Sequence, residues 1–249
     1  MIKKLMAIFN KGRQIKSDPT YKESKLAGIR ERQKVGKRTD IINHLLTITS
    51  HQNYLEIGVR NPDDNFNKII CPNKYSVDPG LENEINLATF PFTSDIFFEK
   101  LFSNQLSNIS NVKFDVVFID GLHLAEQVDR DIANALTIIK DDGFIVLHDC
   151  NPPDEYYARE DYSYANGPSG SFWNGTTWKA FYRSRHFSNI NSVCFDCDWG
   201  VGILTKRKDI KLFNNLSVLD NPFYEFSKLK LNREKHLNLI TFEDLYTLK

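Results

Sequence analysis

Phe114–Asp149, FDVVFIDGLHLAEQVDRDIANALTIIKDDGFIVLHD, is built of three unlike pieces. Its ends, Phe114–Asp120 and Gly143–Asp149, are near-continuous apolar runs that finish in acidic or imidazole residues. Runs of this length without polar alternation are what a parallel strand covered on both faces looks like. Between them Leu124, Val128, Ile132, Ala135, Leu136 and Ile139 recur at helical spacing, so Leu122–Lys140 is predicted to be a helix with one apolar stripe. Strand, helix and strand make a βαβ unit, and a chain of such units winds a parallel sheet between helices.

The pattern extends both ways from this unit. Upstream, Tyr54–Val59 and Lys74–Asp78 are two more such strands, and a third is expected around Leu87–Phe92. A short helix should follow from Asp95 to about Leu106, with Ser94 as its N-cap and Phe97, Phe98, Leu101 and Phe102 facing the sheet. Downstream, residues 151–174 are rich in Pro, Gly, Tyr and Asp; a loop this long in a compact domain is commonly a lid over a site. A helix is predicted at Trp178–Phe187, then two strands, Ile190–Phe195 and Trp199–Thr205, close enough for a hairpin at the sheet edge. The expected architecture is α/β: a doubly wound, mostly parallel, seven-stranded sheet with an antiparallel edge hairpin. Residues 1–49 form an N-terminal helical arm and 50–206 the α/β domain with its lid. Residues 207–249 are an extension packing on the core or on a second copy in a homo-oligomer.

At 249 residues the chain suits one such domain with extensions, at about 150 residues per domain. Its 32 Lys+Arg balance 32 Asp+Glu, so no global field gathers nucleic acid or an acidic membrane around it. The apolar run Leu5–Phe9 is short for a signal peptide, and no stretch reaches the ~18 apolar residues of a membrane span. Four dispersed cysteines do not make a disulfide framework, and Cys194-x-x-Cys197 lacks the second pair a zinc site needs. These features fit a cytoplasmic protein acting on a small molecule, which also leaves Asn174-Gly-Thr176 a glycosylation sequon in form only. The basic residues Lys22, Lys25, Arg30, Arg32, Lys34, Lys37 and Arg38 present either a solvated face or a contact for an anionic partner.

In a doubly wound sheet, ligands bind beyond the carboxyl ends of the strands. The residues placed there are Glu56, Gly58, Asp78, Asp120, His148 and Asp149. Asp78 lies 22 residues after Glu56, the spacing at which a carboxylate accepts both ribose hydroxyls. The intervening loop lacks G-x-G-x-x-G and so offers no pyrophosphate cradle, which points to a nucleoside ligand without phosphates.

These residues resemble the class I S-adenosylmethionine-dependent methyltransferases. Tyr54-Leu-Glu-Ile-Gly-Val59 is similar to their first motif, Val77-Asp78-Pro79 to their ribose acid, and Phe118–His123 and Val146–Cys150 to their fourth and fifth strands. Within them the chain is similar to a metal-dependent subgroup that methylates sugar hydroxyls, as in macrolide-sugar O-methyltransferases. The resemblance implies S-adenosylmethionine bound by Glu56, Gly58, Asp78, Ser94, Asp95 and Asp120. It further implies a divalent metal held by Asp120 and Asp149, and His123 as general base. His148 stands where the subgroup has a carboxylate; as a third ligand it widens the metal from Mg to Mn, Fe or Zn. Arg60 and Pro62 replace glycines common in the first motif.

Methyl transfer from a sulfonium is an in-line displacement, so the protein must align the acceptor oxygen and remove its proton. A sugar hydroxyl is weakly acidic, and a cation together with a neutral imidazole would assist. Thr93-Ser94-Asp95 serves either the cofactor or the helix cap. Trp173 and Trp178 flank a segment able to stack on a sugar, or else anchor the core. Asp196 and Asp198 are candidates for the acceptor side. Two other classes stay open: a mononuclear-metal oxygenase or hydrolase using Asp120, His123, His148 and Asp149, and a non-catalytic module of the same fold.

Overall fold

The computed structural model describes residues 2–82, 85–164 and 166–249. In chain order the elements are helices α1 (Ile2–Ser17), α2 (Pro19–Gln33) and α3 (Arg38–Thr47), then strand β1 (Asn53–Ile57) and strand β2 (Asn73–Val77). Next come α4 (Ser94–Phe102), β3 (Phe114–Ile119), α5 (Ala125–Ile138), β4 (Ile139–Leu147) and α6 (Thr177–Ser184). The hairpin β5 (Asn191–Phe195) and β6 (Val201–Thr205) precedes α7 (Phe226–Leu237), β7 (Leu239–Ile240) and a 3₁₀ turn, Phe242–Thr247.

One seven-stranded sheet results, in the order β2-β1-β3-β4-β6-β5-β7. β2, β1, β3 and β4 are parallel, while β6 runs against both β4 and β5, giving the expected α/β sheet with an antiparallel hairpin. The period-2 alternation of the strands feeds two cores. Leu55, Ile57, Val117 and Ile119 meet Phe97, Phe98, Val128, Ile132 and Phe181 of α4, α5 and α6 on one face. Tyr54, Val116 and Phe118 meet Ile41, Ile42, Leu45 and Leu46 of α3 and Leu245 and Leu248 of the tail on the other. The tail also adds β7 to the sheet edge, parallel to β5.

At the amino end of the strands, buried Asp115 ties the layers together. It accepts from the Ser50 hydroxyl, the Gln52 and Asn53 amides and the Lys140 ammonium. Despite burial, these donors hold its carboxyl down at about 2.

Three expectations need correction. The N-cap of α4 is Thr93, whose side chain accepts from the Ile96 amide; Ser94 is the first helical residue. Phe102 is half exposed and does not face the sheet, because α4 ends there. The strand expected at Leu87–Phe92 is reduced to a single bridge, Val77 to Phe90, since Leu87 is exposed and Pro91 has no N–H for a ladder.

Candidate active site

β3 and β4 are adjacent and parallel, so the residues just beyond their carboxyl ends, Asp120 and His148-Asp149, emerge side by side. His123 comes back to the same point because Leu124 begins the turn into α5. His123 Nε2 lies 3.2 Å from Asp120 Oδ1, and its Nδ1 lies 3.0 Å from Asp149 Oδ2. His148 Nδ1 lies 3.1 Å from the same Asp120 oxygen and 3.4 Å from the same Asp149 oxygen. Ligand atoms of Asp120, His123 and Asp149 all fall within 4.8 Å of one another, the spacing at which a metal ion can be held.

Two residues absent from the expected site complete it. Arg38, the first residue of α3, places Nε 3.8 Å from Asp120 Oδ2 and Nη1 3.2 Å from Asp198 Oδ2. Asn174 donates from Nδ2 to Asp149 Oδ1 at 2.8 Å and, more weakly, to the Trp199 carbonyl. Those two acceptors fix the amide orientation and leave Asn174 Oδ1 buried without a hydrogen-bond partner; Arg38 Nε is likewise unpartnered. Asp198 was foreseen only as an acceptor-side candidate, and its Oδ2 also lies 3.8 Å from His148 Nε2.

The segment Trp173–Thr176 clamps His123. Trp173 stacks on the imidazole with ring centroids 5.2 Å apart, and its carbonyl lies 3.1 Å from His123 Nδ1. The Thr176 amide donates to the His123 carbonyl, and the Thr176 hydroxyl accepts from the Ala125 amide at the start of α5. A side chain at Gly175, φ +60°, would overlap His123. Trp178 is fully buried in the core, so of the two tryptophans only Trp173 reaches the site.

Three carboxylates thus share a largely buried space with one guanidinium and two imidazoles. Burial pulls the His123 proton affinity down, but Asp149 and Asp120 outweigh it and raise it to about 9. His148 is likewise pushed well above 6.5 by Asp120 and Asp149, against burial and Arg38. Asp120 and Asp198 overcome burial and are held well below the usual carboxylate range by His148, His123 and Arg38. With both imidazoles protonated, the cluster is electrically neutral. The backbone is strained here: Asp149, Asp198 and Trp199 have φ of 62°, 45° and 66°, in the left-handed region that non-glycine residues occupy only when their surroundings hold them.

The remaining expected site residues lie along the rim without joining this cluster. Asp78 ends β2; its Oδ2 accepts from the Val59 amide at 2.8 Å and its Oδ1 from the Gly80 amide at 2.7 Å. Gly58, φ +89°, has no room for a Cβ, because the backbone of Asp120 and Gly121 fills that space. The close approach that demands this glycine is therefore strand to strand. Glu56 is buried on the α3 face, where it accepts from Tyr54 Oη and Asn65 Nδ2, and burial raises its carboxyl to about 7. Ser94 and Asp95 contact Gln127 of α5, and Asp95 also pairs with Arg130. Asp196 pairs with Lys34 of α2 and Asn151, turned from the cluster.

Residues 32–150 match a family described as a methyltransferase domain. That segment, just under half of the chain, is similar to the family. The matched segment runs from the end of α2 through Cys150 and so contains Arg38, Gly58, Asp78, Asp120, His123, His148 and Asp149. The sheet order and edge hairpin described above are those expected of a class I S-adenosylmethionine-dependent methyltransferase. No curated protein matches the chain in sequence. Among solved structures it is similar to a Corynebacterium glutamicum protein at 11% identity and TM-score 0.45, covering 78% of this chain and 93% of that one. It is also similar to a Bacillus cereus O-methyltransferase in complex with SAH, at 14% identity and TM-score 0.35, covering 76% and 90%. A third is MycE, a methyltransferase of mycinamycin biosynthesis in complex with Mg, SAH and mycinamycin VI, at 15% identity and TM-score 0.40, covering 69% and 48%. At these scores the likenesses add nothing to the family assignment. Among the described residues no helix is long and apolar enough to cross a membrane.

Proposed function

We propose that this methyltransferase acts on a hydroxyl oxygen of a small polyhydroxylated acceptor, a sugar or glycoside, with a divalent cation at the carboxyl ends of β3 and β4. The observation that carries the reading is the convergence of Asp120, Asp149 and His148, with His148 Nδ1 3.1 Å and 3.4 Å from the two carboxylates, beside His123 and the unpartnered Oδ1 of Asn174. Two hard oxygens, an imidazole and an uncommitted amide oxygen fit a cation such as Mg or Mn.

Asp120, Asp149 and His148 would hold the cation. His148 turns Nδ1 to both carboxylates and Nε2 to Asp198, the arrangement in which an outer carboxylate orients a ligating imidazole. When bound, the cation supplies positive charge that stabilises a developing alkoxide. For S-adenosylmethionine, the fit rests on Asp78, positioned by two backbone amides, and on Gly121, where a Cβ would meet nothing closer than 3.7 Å. The turn after β3 is therefore open on that side, and Asp78 keeps lone pairs for two ribose hydroxyls.

His123 takes the acceptor's proton. Its Nδ1 faces the Trp173 carbonyl, which favours the tautomer with the proton on that nitrogen and leaves Nε2 as the base. With Asp120 and Asp149 committed to a cation, His123 loses the charges that hold its second proton and becomes basic near neutral pH. The stacked Trp173 keeps water from the imidazole and offers an apolar face to a sugar ring.

Calorimetric titration with S-adenosylhomocysteine, with and without Mg or Mn, tests the reading. Binding should be lost in Asp78→Ala and kept in His123→Ala, which should transfer no methyl group to any of a panel of glycosides. Normal turnover by His123→Ala would remove the base assignment. Absence of both cofactor and metal binding in the unaltered protein would leave the non-catalytic reading of this fold.

A further inference from the structure

None of the sixteen residues of α1 is buried. Ile2, Leu5, Met6 and Phe9 fall at i, i+3, i+4 and i+7 and so share one face, with Ile8 on its flank and Ile15 on the side of Lys4 and Lys11. All six are at least half exposed, more large apolar side chains together than any other described helix leaves in solvent. Apolar stripes of this kind on a folded domain mark something that covers them.

The charge of the segment identifies the cover. Ile2–Ser17 holds five basic residues, Lys3, Lys4, Lys11, Arg13 and Lys16, and not one acid. The whole chain has no net charge, so the compensating acidic excess lies in the residues that follow. Lys3, Lys4 and Lys11 lie on the face away from Phe9, while Arg13 and Lys16 fall within the apolar side in the last turns, so the uninterrupted apolar face is Ile2–Phe9 and the long stems beyond it let the charged heads rise to a polar layer. A helix whose first turns gather bulky apolar residues on one side, and whose only charges are cations, fits the interface of an anionic bilayer. A second copy of α1 is a poor partner: it would set five cations against five with no acidic complement, and Gly12, Arg13 and Lys16 interrupt the seam.

We infer that α1 is an interfacial anchor that lies on anionic phospholipid and holds the catalytic domain at a membrane surface. The helix is about 24 Å long at 1.5 Å per residue and lies parallel to the bilayer plane, inserting Ile2, Leu5, Met6, Ile8 and Phe9 below the headgroups. The more acidic remainder of the chain is repelled by the same surface, so the domain stays clear of it while α1 lies down. The inference stands on α1 alone and does not depend on the acceptor or the metal proposed above.

Cosedimentation of the full chain with vesicles tests it. The protein should bind vesicles of phosphatidylglycerol mixed equally with phosphatidylcholine and not those of phosphatidylcholine alone. Exchanging Lys3, Lys4 and Lys11 together for Gln should weaken binding about a hundredfold, at about tenfold per 1.4 kcal/mol and roughly 1 kcal/mol per cation. Leu5→Glu with Phe9→Glu should abolish it. Because α1 buries nothing, both variants should keep the thermal midpoint and the S-adenosylhomocysteine affinity of the unaltered protein, which separates lost anchoring from lost folding. The inference is overturned if the unaltered protein stays in the supernatant with anionic vesicles. It is overturned equally if Leu5→Glu/Phe9→Glu binds undiminished, or if those substitutions dissociate an oligomer of a protein that never binds vesicles.

Discussion

Asp149→Asn isolates the charge that keeps His123 protonated. The exchange is nearly isosteric, asparagine tolerates the left-handed φ of 62°, and its Oδ1 can still accept from Asn174. The exchange removes the negative charge 3.0 Å from His123 Nδ1 and puts an amide NH2 where the accepting Oδ2 stood, and both changes disfavour the protonated imidazole. Raising that imidazole from 6.5 to about 9 corresponds to about 3.4 kcal/mol of preference for the charged form, at 1.36 kcal/mol per pH unit. Against the burial that opposes it, the Asp149 charge is the largest single contribution, followed by the hydrogen bond and charge of Asp120, so the variant's His123 should titrate roughly 1–2 pH units lower. The assay is an NMR titration of the imidazole Cε1–H resonances in a chelator, so that protons alone compete for the site. Stability follows the same sign. A raised imidazole stabilises the fold fully below about 6.5 and loses that contribution as pH climbs through about 9. The unaltered protein should therefore lose several degrees of melting temperature over that interval, at about 2–4 °C per kcal/mol, and the variant should lose less. Identical His123 titrations in the two proteins, or a melting temperature flat across the interval, would refute this account of the cluster.

Three further outcomes follow from other parts of the structure. Arg38→Met leaves the Asp120 and Asp198 carboxylates facing each other without a guanidinium, and should lower the urea-unfolding free energy by about 3 kcal/mol. An unchanged urea midpoint would show that the imidazolium groups alone balance the site. Gly58→Ala drives a Cβ into the Asp120 backbone at a positive φ, so it should cost more than about 1 kcal/mol and displace the β3 rim; S-adenosylhomocysteine affinity read by calorimetry should fall with it. Gly28→Val, on α2, overlaps the Tyr157 ring of the lid, whose hydroxyl donates to the Ser24 carbonyl; limited proteolysis should then cut within 151–174 faster than in the unaltered chain. An unchanged digestion pattern would mean that α2 does not hold the lid.

The core of the fold was legible because burial on both faces of a strand leaves an unmistakable apolar run. β1, β2 and β3 lie within a residue or two of their expected bounds, and Val128, Ile132 and Ala135 form the buried stripe of α5 as their spacing predicts. β4 was harder to delimit: it begins directly at Ile139, and Lys140-Asp141-Asp142, in the register shift before Phe144, show no apolar signal. In the site, Asp120, His123, His148 and Asp149 were visible because each follows a strand end. Asn174 read as a sequon and as part of the Trp173–Trp178 segment able to meet a sugar, and nothing near it in sequence pointed to Asp149. Arg38 was one base among many in the arm, because the acid that fixes its place, Asp198, is 160 residues away. Asp78 lies on the expected rim, but its carboxylate is turned to its own loop amides, a local choice that strand pattern does not encode.

That distance between Arg38 and Asp198 has a bearing on biosynthesis. α3 leaves the ribosome early, whereas the β5–β6 turn carrying Asp198 is made after four-fifths of the chain, so a nascent polypeptide has the strand ends but not the ion pair that closes them. Until then the strand-end residues lack the guanidinium–carboxylate contact that encloses them. On the function proposed above, an incomplete product lacking the hairpin is expected to leave the acceptor unmodified.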